Sequence, residues 1–544
     1  MNEALINLKE RMAELSDEEL YLIVNVDFSN YRQEAIDLAK AELEKRGYQG
    51  HDPSHSEKKE PSIDQIDFGK TDTTRYLSAA AYYDSAFCDQ VVERVVEEEI
   101  RAVVASYGVD LATVAKHCLI ARTWKISRDI KIAPLFLLSV VLWNIEPASI
   151  VIPLFIVWLI LYLRSRNIYL TTASFSKEAF DPEVASFKIG SGAEARLERI
   201  AHEQRGNVVV YSGFSPFVGS GFDVGGWSFT IKINKGKEES GKKFQAISFD
   251  LAELYDYLAY TITALGLDGL CIEDKLFVDG QEIRNDKRFL HNPFVRPNTN
   301  VDPLLVKSFI DACTPHIRFY KCVKVISWKG EIVLTIFIRF AKVNNNLFAE
   351  ASYFLLPPLK DTYHEVDAMN PTLTTRKEIN LAVTAAIKAP FLLAFSPILA
   401  YSHVTDWYRR RKRRREIARL IEENFAFDYG ANTSVRESVT SSQYRRYFQK
   451  LDQAMNFKLV ERQILDGIIE FLDKKNIDTS DLKERQTTIL NNGVIISGGA
   501  IRAESLAVGK RAMSQISRLA EAASSAVEGT PQKITRSQQE IDKM

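Results

Sequence analysis

Gly219-Ser220-Gly221, followed by Gly225-Gly226, has the composition of a loop that cradles phosphate. Such a loop offers backbone N–H groups, and a Lys-Ser/Thr pair and a helix follow it. Here no Lys-Ser/Thr follows. Trp227, Phe229, Ile231 and Ile233 alternate with polar residues, which predicts a half-buried strand instead of a helix. The stretch therefore reads as a glycine-rich turn between strands. The eight histidines are dispersed, with no His-x-x-x-His and no metal-ligand spacing to Cys or carboxylate. His117 adjoins Cys118, but neighbours on a helix point about 100° apart, so they make a poor catalytic pair. There is no Gly-x-Ser-x-Gly elbow. Asp250 and Glu253 read as a helix cap and its box partner. The expectation is a protein that is no enzyme, with no cofactor, no metal and no evident small-molecule substrate.

Two basic clusters remain. Lys232, Lys235, Lys237, Lys242 and Lys243 are diluted by Glu238 and Glu239 and read as a solvated loop. Arg409, Arg410, Arg411, Lys412, Arg413, Arg414 and Arg415 are undiluted. Two readings stay open for this run. It anchors the chain to anionic lipid, at about 1 kcal/mol per charge, or it is an anion or nucleic-acid site, where cations neutralise phosphates.

The elements that would position such groups include two apolar segments, Ile132 to Trp143 and Ala148 to Leu163, joined by Asn144-Ile145-Glu146-Pro147. Arg122, Lys125, Arg128 and Lys131 precede them, and Arg164 and Arg166 follow. Positive charge collects on the cytoplasmic side of membrane segments, so both ends of this hairpin belong in the cytoplasm. The segments offer about 12 and 16 apolar residues against the ~20 of a spanning helix. They span only if the turn and basic flanks reach the headgroups. A re-entrant hairpin and a buried soluble hairpin are the alternatives. Trp143, Trp158 and Tyr162 lie toward segment ends, where interfacial aromatics belong. Pro134 and Pro153 are expected in first turns. Leu138 and Ile156 are expected on the membrane surface, and Glu146 at a pore mouth or interface, since a lone Glu in lipid costs about 3 kcal/mol.

Net charge is −1 and charged residues make up 26%, so most of the chain lies outside lipid. Five scattered cysteines fit a reducing compartment. Met1 to Glu10 is polar and acidic, unlike a secretory signal. The expected class is α+β multidomain, with a helical N-terminal region, a membrane helical hairpin, an antiparallel α+β cytoplasmic domain, and a C-terminal helix plus short β hairpins. In order, residues 1–50 predict a helical hairpin and 51–71 a linker. Residues 72–128 predict cytoplasmic helices, the second capped by Asp110 and running directly into the transmembrane hairpin 129–166. A connector, 167–200, leads to the α+β domain at 201–375. Its meander is read from Ile317–Trp328, Ile332–Phe340 and Leu347–Leu356. Residues 376–415 hold an apolar helix with the basic run. Its apolar part, 379–404, reads first as interfacial, with a third span and a buried helix as alternatives. A helical region, 416–475, precedes a β-rich oligomerisation or partner segment, 476–510, where Asn492-Gly493 signals a hairpin. The tail 511–544 is rich in Ser, Ala and Gln and reads as partly disordered.

Five stretches together resemble a family of largely uncharacterised bacterial membrane proteins. They are Arg75 to Tyr82 (RYLSAAAY), Asn207 to Phe229, Glu350 to Leu359 (EASYFLLPPL), Phe427 to Glu437 (FDYGANTSVRE) and Ile489 to Ile496 (ILNNGVII). The combination of a hairpin with large cytoplasmic domains also resembles channel-forming effectors of bacterial antiphage systems, of the Hailong type. That resemblance implies a homo-oligomeric ion channel in the bacterial inner membrane. It implies as partner a nucleotidyltransferase whose DNA oligomer product holds the channel shut. It assigns no pore or DNA residue here. The alternative reading is a membrane-anchored scaffold that recruits partners through its N- and C-terminal modules.

Overall fold

The computed structural model describes residues 67–491 apart from 105, 177–179, 181–188, 240–241, 313, 424–425 and 432–433. Before them it describes five helical residues within 38–45, where Lys45 pairs with Glu42 at 3.3 Å. The chain divides into two compact units, Met1–Ser62 and Ile63–Met544. Most of the expected N-terminal hairpin, the linker through 66, the Asn492-Gly493 hairpin and the tail lie outside the described residues.

The second unit is mixed α+β, as its pattern predicts. Helices α1 (Asp72–Tyr83) and α2 (Ser85–Val91) are separated at Asp84, whose side chain accepts from the Phe87 N–H. A π-helical stretch, Val92–Val96, follows. Helix α3 (Leu111–Ile145) starts at Asp110, which accepts from the Ala112 N–H. It runs unbroken to the hairpin turn. Helix α4 (Val151–Ala173) returns and α5 (Ser191–Glu203) follows. Pro153 lies in the first turn of α4, as expected. Pro134 does not: it stands inside α3, because that helix begins twenty-odd residues earlier, at its Asp110 cap.

Six strands form the sheet: β1 (Val208–Tyr211), β2 (Phe222–Lys232), β3 (Leu270–Asp279), β4 (Ile317–Ser327), β5 (Ile332–Val343) and β6 (Asn346–Leu356). Their order is β1-β3-β4-β5-β6-β2. The β4-β5-β6 meander and the β6–β2 pair are antiparallel, as the short turns predict. The β1–β3 pair is parallel, so the sheet is mixed.

Alternate side chains point to opposite faces. Val208 and Val210, Leu276 and Val278, and Ile336 and Ile338 enter one core. Helices α6 (Leu251–Thr263) and α8 (Tyr447–Lys474) cover that core with Leu254, Leu258 and Ile262, and with Ile464, Ile468 and Leu472. Val209, Phe277, Tyr320, Phe337 and Phe354 face the other way. Phe217, from the glycine-rich loop, stacks on Phe337 at 4.3 Å between centroids and closes that side.

Between α6 and α8 runs α7 (Thr375–Glu423), one helix of 49 residues that holds both the apolar stretch and the basic run. The last described helix, α9 (Ser480–Asn491), occupies the first part of the segment 476–510 that reads as β-rich. Its apolar residues are too few to separate a strand from a helix end, and the Thr487 and Thr488 hydroxyls donate to the carbonyls of Lys483 and Glu484, one helical turn back.

One buried carboxyl in this core titrates near neutrality. The Tyr353 hydroxyl donates to Glu461 Oε1 at 3.0 Å, and burial pushes the Glu461 carboxyl up to about 7. A folded value above the unfolded ~4.3 means that stability is full below pH ~4 and is lost as pH rises through about 7. Glu461→Gln keeps the acceptor and removes the titration. Between pH 5 and 8.5 wild type should lose about 2 kcal/mol that the variant retains. Denaturation in detergent across that range checks it.

Candidate functional site

The hairpin has a tip, at Glu146, and a base, where Arg122 to Lys131 face Arg164 and Arg166. At the tip the polar groups satisfy one another. The Ser149 N–H and hydroxyl both donate to the Glu146 carbonyl, and Asn144 Nδ2 donates to the Val140 carbonyl. Glu146 is exposed there. Leu138 and Trp143 are exposed on α3, at 40% and 55%, among Leu137, Val140 and Val141. On α4, Val151, Ile152, Phe155 and Leu159 are exposed and Ile156 is half-buried. Soluble surfaces rarely leave so many large apolar residues uncovered together.

Trp158 faces α7. Its indole N–H donates to the Ala382 carbonyl of α7 at 3.0 Å, and its ring stacks on Tyr162. It is a packing residue between two helices. Around it, Ile132, Val157 and Leu161 of the hairpin bury against Ala385, Ala389 and Leu393 of α7. Small residues at 385 and 389 let the backbones approach. Pro397 has no N–H for the Leu393 carbonyl, and the Ser396 hydroxyl takes that acceptor at 2.8 Å.

Among the described residues, two helices are long and apolar enough to cross a membrane: Pro147–Ala173, which contains α4, and α7. Two polar contacts of α7 reach the base of the hairpin. Glu378 pairs with Arg166 at 3.6 Å, and His403 meets Asp129 at 2.9 Å. Both Arg166 and Asp129 are at the base, about 24–28 Å of helix from Glu146. Pro390 and Pro397 lie between Glu378 and His403, where prolines bend helices.

The basic run also lies at the base, at the opposite end from Glu146. It meets acid there. Arg410 pairs with Glu97 at 2.7 Å and Arg414 with Glu99 at 3.1 Å. Arg409 pairs with Asp406 and Lys412 with Glu416 along the helix, and Arg411 lies over the Trp407 ring. Arg413 and Arg411 line a cavity of about 600 Å³ with Glu93, Glu97 and Glu98. The run is therefore partly neutralised from within. Glu97 also holds Arg122 at 3.0 Å, so one carboxylate joins the basic helix to the hairpin base. The acidic run Glu97-Glu98-Glu99 was visible in the sequence, but nothing there placed it opposite α7.

A buried network ties the sheet to the hairpin. Arg75 of α1 donates to Asp367 Oδ1 at 2.8 Å and to the Phe175 carbonyl, just past α4, at 2.9 Å. The Tyr76 hydroxyl donates to Asp367 Oδ2 at 2.6 Å. The Tyr76 ring packs on His364, which meets Glu331 at 3.1 Å in the β4–β5 turn. Gln449 of α8 donates to Glu331 Oε2 at 2.8 Å. Burial alone would raise the Glu331 carboxyl, but His364, Gln449 and Arg436 hold it below its usual value. Arg436, fully buried, donates to the Glu331 and Pro357 carbonyls and to Thr440 Oγ1. Burial lowers its guanidinium to about 10, which leaves it charged at neutral pH.

The glycine-rich loop joins the same region. The N–H groups of Gly219 and Gly221 both donate to Glu437 Oε1, at 2.8 and 2.9 Å. A carboxylate of the chain itself occupies these donors. Lys235, from the other basic cluster, pairs with Asp478 at 2.6 Å. His117 Nδ1 meets the Tyr82 hydroxyl, and the Cys88 thiol donates to the Cys118 backbone carbonyl. Among the described residues no cluster of His, Cys, Asp and Glu is arranged to hold a metal.

Four of the five stretches that look distinctive in sequence thus meet in one place. Arg75 and Tyr76, Gly219 and Gly221, Pro357, and Arg436 and Glu437 are its hydrogen-bonding partners. The fold and this junction define an α+β protein whose sheet is bonded to the base of an apolar helical hairpin. Residues 226–502 match the AbeC-like domain, just over half of the chain, and the chain belongs to that family. The matched region runs from β2 through α9 and includes α7, while the hairpin lies before it. No curated protein and no solved structure matches the chain.

Proposed function

We propose that this chain is a membrane-embedded effector of bacterial abortive infection, gated by a ligand or partner and conducting ions as a homo-oligomer. Its hairpin inserts into the cytoplasmic membrane and the bulk of the chain stays in the cytoplasm. Membership of the AbeC-like family supports the place in defence. One observation carries the mechanical part. Helix α3 is a single rod whose first half is buried in the helical core through Leu111, Val114, Cys118 and Ala121, and whose second half exposes Leu137, Leu138 and Val141. The helix is continuous across Pro134, the residue at which a bend is expected. Rotation of the core about Arg75 or Glu97 therefore moves the hairpin. One two-helix hairpin encloses no pore, so several copies must line it, with α7 lying at the base as an interfacial helix.

In this reading Glu146 forms a ring at the outer mouth, where carboxylates favour cations. Cells expressing the wild type under the activating condition should depolarise. Glu146→Gln should depolarise them with weaker cation preference and unchanged assembly. Toxicity without depolarisation would sink the channel. A DNA oligomer made by a partner nucleotidyltransferase is the proposed closing ligand. It would compete with Glu97 and Glu99 for Arg410 and Arg414.

The second reading is a membrane-anchored scaffold, with no catalytic activity of its own. What favours it is a stripe on α8, where Tyr447, Phe448, Leu451, Met455 and Leu459 are exposed at helical spacing. A scaffold leaves the membrane potential unchanged.

A further inference from the structure

A small cavity of about 60 Å³ opens at the hairpin base, among α1, α2, α3 and α4. Arg122, Lys125 and Arg164 line it together with Trp124, Tyr83 and Ser85. Asp89 lines it as well, so three cations face one carboxylate and the cavity keeps a net positive charge that favours an anion. Their internal partners are few. Arg122 shares Glu97 with Arg410. Lys125 is 3.5 Å from Asp89, both partly exposed. Arg164 is half-buried and donates to the Trp124 carbonyl at 3.0 Å. Among the described residues no carboxylate lies within ion-pair distance of it.

The level of the cavity matters as much as its charge. Arg164 directly follows Leu163, the end of the apolar stretch. Lys125 precedes Ile132 by about 10 Å of helix. Leu159 and Leu163 are exposed on α4 between this level and the tip. A cavity this size is far below the ~300–1,000 Å³ that encloses a whole small molecule. It takes one group of a larger one.

We propose that this cavity binds the phosphate of an anionic phospholipid headgroup, whose acyl chains lie along α4. Basic pockets between helices at the cytoplasmic face recognise such headgroups. The proposal rests on the membrane reading above. It gives the hairpin base a lipid contact distinct from Arg409–Arg415. Free phosphate shares the chemistry, so the test separates the two sources.

Full-length protein in a neutral detergent is titrated with short-chain phosphatidylglycerol, short-chain phosphatidylcholine or inorganic phosphate while its thermal midpoint is followed. The glycerol lipid should raise the midpoint by several degrees, and the other two should not. Arg164→Gln should abolish the shift. Lys125→Gln, at a more exposed position, should fold normally and weaken apparent affinity about fivefold. Lys412→Gln, on α7, should behave as wild type. An equal response to inorganic phosphate would overturn the lipid assignment. Equal responses to both lipids, or a Lys125→Gln variant as responsive as wild type, would overturn the site. Flotation of wild type with phosphatidylcholine vesicles tests the membrane reading by itself. Flotation with no headgroup preference leaves that reading standing and removes this one.

Discussion

Leu138→Arg is expected to abolish membrane insertion and every depolarising effect of the chain. Leu138 lies midway between the basic flank ending at Lys131 and the turn at Glu146, on the exposed face of α3. An arginine at the centre of an inserted helix costs about 2.5–3.5 kcal/mol, a factor of about 100 in insertion. The hairpin has little to spare, because its first arm has about 14 uncharged residues against the ~20 of a full span. The guanidinium is more than a turn from either end, too far to reach headgroups without thinning the bilayer. Ile156→Arg should do the same from α4, and it adds a packing loss, since Ile156 is half-buried. The fold outside the hairpin should survive, because the sheet core includes neither residue. Carbonate extraction of membranes and a potential-sensitive dye read the two effects. A Leu138→Arg chain that stays in the membrane fraction and still depolarises would falsify the inserted hairpin. A buried soluble hairpin predicts a third result: misfolding, with loss of the whole chain.

That distinction shows which features are local in sequence. The hairpin is legible because apolar run, turn and basic flank are contiguous. Helix α6, β2 and the meander are legible for the same reason, since strand alternation and Lys329-Gly330 or Asn344–Asn346 turns stand next to each other. Strand β3 is not. Its Glu273-Asp274-Lys275 centre breaks any apolar run, and only partners on β4 make it burial-compatible: Lys324 meets Glu273, and Lys321 meets Asp274 at 2.5 Å. The parallel β1–β3 pair is equally hidden, because the chain between them makes β2 and α6 first. The junction is the extreme case. Arg75 and Asp367 stand 292 positions apart. The motifs that contain Arg75, Gly219, Pro357 and Arg436 were recognisable as distinctive, yet nothing in their spacing says that they touch. The acidic partners of Arg410 and Arg414 are likewise over 300 positions away.

The same burial of charge in β3 sets the largest expected loss of stability. Glu273 is enclosed on the sheet face opposite α6 and α8. Lys275 Nζ lies 2.9 Å from its Oε2, and Lys324 Nζ holds its Oε1. Lys275 also donates to the Gly206 carbonyl at 2.7 Å, and Lys324 lies over the Tyr107 ring. Burial alone would raise the Glu273 carboxyl, but the two ammonium groups override it and bring it down to about 2. A folded value below the unfolded ~4.3 gives stability that is present above pH ~4 and lost as pH falls toward 2. Glu273→Ala leaves two buried lysines with no counter-charge. Removing one partner of a buried pair costs about 3–5 kcal/mol, a large part of a domain's total stability. The variant should unfold at much lower denaturant and lose the acid-dependent step of wild type between pH 4 and 2. Replacing the trio together, as Glu273→Leu with Lys275→Met and Lys324→Met, removes the desolvation cost as well as the attraction. It should recover most of the loss, as buried ion clusters replaced by apolar groups often do. Denaturation of the full chain in detergent at pH 7 and pH 3 distinguishes the outcomes. A Glu273→Ala chain as stable as wild type would mean that water reaches these lysines, and the enclosed ion cluster would have to be abandoned.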